Sequence, residues 1–388
     1  MVVVRGVSAK QFSDSRKEKT IFVTIKTNVG QFSSSAPNGK SKGKHEAKSY
    51  RKSLEKDVDS LKKFSDYFSE ENIDSFNDLR RIEDIVEGHI GANSLVALES
   101  AILKALAKER KKEIWQLINP NAKKFPRLLG NVIEGGKHSK GVNEKKPDFQ
   151  EFLLIPKTRN VKEAFELNKN LRDHVGDFLK KFDKRFESKI TDEKGWRTSL
   201  NEKEVFDVLK KMKIPLGVDI ASSSFYKRKK YHYQNPPLDR TKEEQLSYVS
   251  NLIRNFNLLY IEDPFDEEDF ESFSALLKKF PGSLIVGDDL TVTNYKRLQK
   301  AIEGKSINAI IVKPNQNGSL LDVSRVCELA KKNNIKIIFS HRSGETEENI
   351  LADFAFGFQA DFLKAGITGK TREPKIKRLI EIEKKIKK

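Results

Sequence analysis

The stretch LLYIEDPFDEEDFESFSALLKKFPGSLIVGDD, residues 258–289, holds two short apolar runs, each closed by a pair of acids, with a helix-period segment between them. Runs of this length, rich in Leu, Ile and Val, read as buried strands. Two such strands joined through a helix lie parallel in one sheet.

The same unit recurs from about residue 213 onward. Its apolar runs are LGVDI (216–220), LLYIED (258–263), SLIVGDD (283–289), INAIIVK (307–313), IKIIFSH (335–341) and FQADFLK (358–364). Amphipathic segments such as TKEEQLSYVSNLIRNF (241–256) and SLLDVSRVCELAKKNN (319–334) separate them. Six consecutive strand-helix units predict a parallel sheet covered by helices. The residues that close the runs are mostly 23 to 28 positions apart, with one longer insertion containing YKRKKYHYQNPPLDR. That regularity favours a closed barrel over an open, doubly wound sheet.

In order, the closing residues are Asp219, Glu262, Asp288, Lys313, His341 and Lys364. Every one is ionisable. In a parallel barrel the carboxyl ends of the strands converge on one mouth, where active sites sit. Solubility at the strand ends does not call for three acids followed by three potential bases. SHRSGETEEN (340–349) taken alone would do no more than carry a strand into solvent and open a helix; its place in the series makes it a candidate for more.

Residues 1 to about 125 have another texture. VVVRGVSAKQF, TIFVTIKT and QFSSSAP alternate as antiparallel strands do, and three helical segments follow, among them a charged one within 49–68 and the amphipathic SLVALESAILKALAKE. This predicts a smaller α+β domain over 1–125 and a barrel over 126–388. Pro120 and Pro126 break any helix at the junction.

The single cysteine, Cys327, excludes an intrachain disulfide and any thiolate metal site within one chain. The N-terminal segment lacks a signal-peptide core and no run is long enough to span a bilayer, so the chain reads as cytoplasmic with no membrane partner. The net charge of +18 raises the question of a nucleic-acid partner, but basic residues are spread over the whole length among 56 acids. The densest run, Lys227 to Lys230, reads as a solvated surface.

Asp219, Glu262 and Asp288 on neighbouring strands offer hard oxygen ligands facing one point, which suits Mg²⁺. Across the mouth stand Lys313 and Lys364. Two ammonium groups close together beside a divalent cation predict a depressed pKa for one of them, which could then act as a base.

These residues resemble the enolase family. The likeness runs through VDIASSSFY, YIEDPFDEEDF, VGDDLTVTN, VKPNQNGSL, SHRSGETEEN and LKAGITGKTRE, all in order, and more weakly through DSR (14–16), SAPNGKSKGKHEA (35–47), GGKHSKG (135–141), FQEFLLIP (149–156) and TDEKG (191–195). It implies an enolase-type (β/α)8 barrel behind an α+β capping domain, and reversible dehydration of 2-phosphoglycerate to phosphoenolpyruvate with two Mg²⁺. By the same resemblance Asp219, Glu262 and Asp288 hold the first ion. Lys313 removes the C2 proton, and Glu193, beside Glu151, protonates the departing hydroxyl. Gln150 contacts substrate, Lys364 its carboxylate, and Arg342 and Ser343 its phosphate, with His341 and His138 in support. Ser41, on a mobile lid, joins the second Mg²⁺. The remaining histidines, His45, His89, His174 and His232, read as surface or packing residues. The family is also commonly dimeric or larger, so a homo-oligomer is expected.

Several positions depart from the family pattern. Lys40 and Lys42 stand where its lid has small residues, Lys194 where it has a glycine, and Ser224 where a glutamate is usual. These mark a divergent member of archaeal type. The competing expectations are an enolase-like protein with an altered substrate and a non-catalytic one that binds nucleic acid.

Overall fold

The computed structural model of the protein describes residues 1–40, 43–68, 71–139 and 145–387. Its first strands, β1 (Val2–Ser13), β2 (Lys19–Thr27) and β3 (Gly30–Ser35), form an antiparallel meander, and a short β4 (Asn72–Ile73) pairs with the outer edge of β1. Alternation sets the buried face: Val2, Val4, Val7 and Ala9 of β1 and Ile21, Val23 and Ile25 of β2 are buried. The helices are α1 (Leu54–Lys63), α2 (Leu79–Val86) and α3 (Ala92–Arg110). Alanines at 97, 101 and 105 on α3 are fully buried, so its backbone can come close to the sheet. The short β4 is the one strand of this region that the alternation pattern did not predict.

Eight strands close the barrel: β5 (Arg127–Glu134), β6 (Glu151–Leu154) and β7 (Leu216–Asp219), then, after a three-stranded insertion, the rest. The insertion comprises β8 (Tyr226–Lys227), β9 (Lys230–Gln234) and β10 (Pro237–Arg240). It is the YKRKKYHYQNPPLDR segment, and its basic tip is exposed. The barrel continues with β11 (Tyr260–Glu262), β12 (Leu284–Gly287), β13 (Ala309–Val312), β14 (Lys336–Ser340) and β15 (Phe362–Lys364). The six predicted strands are mutually parallel. β5 continues that direction, while β6 runs antiparallel to both its neighbours. The reversal brings the first residue of β6, Glu151, to the mouth, where it pairs with Asp219, the last residue of β7.

Period two sorts the strand residues onto two faces. One buried cluster, Leu129, Leu153, Tyr260, Val286, Ile311, Ile338 and Phe362, fills the barrel interior. Their neighbours, such as Ile261, Ile285, Ile310, Ile337 and Leu363, pack in the larger core with the outer helices. Two positions beyond Tyr260, Val286, Ile311 and Phe362 lie Glu262, Asp288, Lys313 and Lys364, so each projects from the same inward line. His341 breaks the rule. The inward residue at the end of β14 is Ser340, and His341 follows the strand rather than closing it.

The N-terminal sheet docks on this mouth through backbone pairing. Asn38 and Gly344 exchange N–H···O bonds of 2.7 and 2.8 Å, and Ser15 N–H donates to Glu345 O at 2.7 Å. A Cβ at position 344 would stand 2.2 Å from Asp14 Oδ2. Gly344→Ala is therefore expected to cost about 2 kcal/mol, the usual range for overpacking, read as a fall in the denaturant midpoint at unchanged m-value.

Candidate active site

One cavity at the mouth is lined by His138, Gln150, Glu151, Glu193, Asp219, Asp288, Lys313, His341, Arg342, Ser343 and Lys364, eleven of the residues singled out from sequence. Glu262 lies just beneath, fully buried and 2.7 Å from Lys364 Nζ. Ser41 and Lys42 lie outside the described residues, although Gly39 and Lys40 before them border the cavity.

Lys364 stands among three carboxylates: Glu151 and Glu262 at 2.7 Å and Asp219 at 3.1 Å. Lys313 is paired with Asp288. Burial alone would lower both ammonium groups. Asp219, Glu151 and Glu262 instead raise Lys364 well above its ordinary value, and Asp288 raises Lys313. In this state each ammonium has carboxylates within hydrogen-bond distance; the depressed lysine was expected beside a divalent ion. The acids divide accordingly. Burial and repulsion from Asp219 push Glu262 well up, while Lys364 and His138 overcome the burial of Glu151 and hold it down to about 2.

A second cluster adjoins the first through Glu151, which both share. His138 Nδ1 lies 3.5 Å from Glu134, 3.4 Å from Glu151 and 3.7 Å from Glu193. Against its burial, these carboxylates raise the imidazole well above its ordinary value. Glu193 is buried too, yet His341, Arg372 and His138 hold it well below the usual carboxylate range. The charged form of the His138 imidazole is favoured because it stands within reach of both Glu151 and Glu193.

Glu134 was not singled out from sequence. A register shift in β5 between Asn131 and Ile133 lets both Asn131 and Glu134 face the site, three residues apart. Glu134 accepts from Thr191 Oγ1 at 2.7 Å and Gly195 N at 3.1 Å, and so anchors the loop that carries Glu193. Within that loop Lys194 has φ of 73°, which explains the family's glycine there.

Described residues on the segment after β3 reach the mouth. Lys40 N–H donates to Ser343 Oγ at 2.7 Å, and the Arg342 guanidinium reaches both oxygens of Glu46 at 3.0 and 3.1 Å and Asn315 Oδ1 at 3.2 Å. A side chain at 39 would enter the guanidinium, which requires glycine there. Gln150 donates to Asp219 at 3.3 Å and leaves its own buried Oε1 without a hydrogen-bond partner among the described residues. Of the other histidines, His45 pairs with Glu268, His89 packs on Phe64, and His232 meets Asp239 and Lys227 O.

The mouth suits a divalent cation. Glu262 Oε1 is buried with no hydrogen-bond partner among the described residues; burial and repulsion from neighbouring carboxylates raise the proton affinity of Asp219 and Glu262, while Lys313 overcomes the burial of Asp288 and holds it down. Hard oxygens in excess of their counter-charge are what such an ion neutralises. Two tighter groups of possible ligand atoms are His138–Glu151–Glu193 and Asp263–Asp288–Asp289. The expected trio does not form one of them, because the Lys364 and Lys313 ammonium groups lie against its oxygens.

A closed barrel that sets two lysines and a histidine–glutamate cluster around an acidic mouth defines an acid–base enzyme of the barrel class. Residues 122–388 match the family model described as Enolase, C-terminal TIM barrel domain. Over 99% of this chain and 97% of its own length, the protein named Enolase from Methanosphaera stadtmanae is 34% identical. The Enolase of Sulfurisphaera tokodaii is 37% identical over 98% of this chain and 95% of its own, and that of Natronomonas pharaonis 32% over 99% of each. The chain belongs to the enolase family. Its activity is that class of hydro-lyase, phosphopyruvate hydratase, and neither an altered substrate nor a non-catalytic nucleic-acid role is favoured. Among the described residues no helix is long and apolar enough to cross a membrane.

Proposed function

We propose that this cavity dehydrates 2-phosphoglycerate to phosphoenolpyruvate, reversibly, by removing the C2 proton on one side and protonating the C3 hydroxyl on the other. The observation that carries the reading is that Lys313 and the Glu193–His138–His341 cluster line one cavity. Lys313 is the base. Glu193 hands a proton to the departing hydroxyl, and the His138 imidazolium, 3.7 Å from its carboxylate, is the group that reloads it. Gln150, through its unpartnered Oε1, orients the substrate, and Lys364 pairs with its carboxylate. Arg342 and Ser343 take the phosphate, which displaces Glu46 from the Arg342 fork.

Asp219, Glu262 and Asp288 would hold Mg²⁺, and Ser41 belongs to the set for a second ion. When bound, the ions supply counter-charge for the enolate. The reading also includes the 1–125 and 126–388 division, a homo-oligomer and a cytoplasmic location. The direct test is phosphoenolpyruvate formation from 2-phosphoglycerate, followed by ultraviolet absorbance with and without Mg²⁺. No product under either condition would overturn the proposal.

Arg342→Lys tests the phosphate fork. Lysine keeps the charge but loses the planar pair of donors. A fall in kcat/KM of about 10²-fold is expected, with little change in melting temperature. An analogue lacking the phosphate should lose less. Equal losses for both substrates would remove Arg342 from phosphate binding.

A further inference from the structure

We infer that Arg372 is a positioning residue that fixes the proton of His341 on Nε2, so that His341 serves as a neutral N–H donor to Glu193. The inference deepens the reading in which Glu193 is the acid. Its spectroscopic test does not depend on that reading.

His341 lies one residue beyond the inward line of β14, so strand periodicity does not aim it. Arg372 does. It sits 31 residues later, at the start of the helix Glu373–Ile386, and is almost fully buried. Its Nη1 lies 2.6 Å from His341 Nδ1 and 2.5 Å from Arg342 O, and its Nη2 2.7 Å from Ser343 O. One guanidinium thus grips three successive residues of the SHRS turn.

Chemistry makes the contact one-way. Guanidinium has N–H donors, no acceptor lone pair, and keeps its proton throughout the physiological range. Nδ1 of His341 must therefore be the acceptor, and a neutral ring with a bare Nδ1 carries its proton on Nε2. That atom is 3.1 Å from Glu193 Oε2, close enough to donate although it forms no aligned hydrogen bond in this state. A second proton could enter only at Nδ1, against the N–H of a buried cation. Burial and Arg372 lower the proton affinity of His341, while Glu193 and Glu151 oppose them without prevailing. His138 lies beyond Glu193, on the carboxylate's other oxygen. Glu193 is held between two unlike imidazoles: a cation on one side and, on the other, a neutral donor unable to take its proton. His341 is thereby excluded as a base competing with Lys313.

Full-length protein labelled with ¹⁵N at histidine reads this directly, with the His341 signals assigned by their loss in His341→Gln. The expected spectrum shows one bare and one protonated nitrogen, unchanged over about pH 6 to 8, where an ordinary histidine titrates. Arg372→Met should let His341 protonate within that window, and Arg372→Lys, which keeps a cationic donor, should restore the bare nitrogen. Should the Met variant not fold, the wild-type spectrum still decides. In activity, His341→Gln places an amide N–H near the Nε2 position and should retain at least about tenfold more kcat/KM than His341→Asn, which mimics Nδ1. An imidazolium or an Nδ1–H tautomer in the wild type at neutral pH, or Asn equal to or better than Gln, would overturn the inference. A bare Nδ1 in a preparation inactive on 2-phosphoglycerate would sustain it while removing the functional reading.

Discussion

Lys313→Ala is expected to lower kcat/KM by about 10⁴-fold, the upper range for loss of a general base, and to abolish exchange of the C2 proton with deuterated solvent. Both effects follow from one residue standing on the inward line two positions beyond Ile311 and lining the cavity. Glu193→Gln supplies the contrast. Its carboxylate belongs to the histidine cluster, so exchange at C2 should persist while formation of phosphoenolpyruvate collapses. Retained exchange in Lys313→Ala would place the base elsewhere, with Lys364 the next group on the same inward row. Lys313 is charged in this state because Asp288 faces it. For it to take a proton, that carboxylate must be engaged by something other than the ammonium.

Removal of divalent metal is the second large effect. Excess chelator should abolish turnover and Mg²⁺ should restore it, since repelling carboxylates at the mouth otherwise lack counter-charge for a dianionic enolate. Stability gives an independent readout. Burial, with repulsion from Asp219 and Asp288, raises the Glu262 carboxyl well above 4.5. Over the window between its unfolded and folded values the folded state binds the extra proton, so this group's contribution falls as pH rises above 4.5 and is most unfavourable above the folded value. Glu151, held at about 2 against 4.5, has the opposite sign: its stabilisation is complete above 4.5 and is lost as pH falls toward 2. A cation that neutralises Glu262 should therefore raise the melting temperature at pH 7, corresponding to about 2.7 kcal/mol at a hundredfold excess over Kd. Asp288→Asn should weaken that shift. Full turnover in excess chelator, or a melting temperature indifferent to Mg²⁺, would remove the metal from the proposal.

Much of this was legible in the chain because strands carry a strict period of two. Once Tyr260, Val286, Ile311 and Phe362 are read as interior, the ionisable residue two places on must share their face, and parallel strands bring those residues to one mouth. The same rule misplaced His341, which follows its strand and is aimed by a side chain 31 positions away. Glu134 escaped notice because a local register shift turns it inward, and such a shift leaves no trace in a pattern of apolar residues. The carboxylates that meet each lysine are likewise brought in by other strands, at distances no local pattern shows.

By itself the sequence determined the alternating strands and helices, the closed barrel they imply, and the row of acids and lysines at its mouth, since all of these depend on residue type and local period. Only the tertiary structure decided that β6 runs backward and delivers Glu151 to that mouth, that the N-terminal sheet seals it through Asn38 and Gly344, and that Arg372 governs His341. Those are contacts between segments tens to hundreds of residues apart. Their energies depend on which groups finish within about 4 Å in a dry interior, and on the charge each then faces.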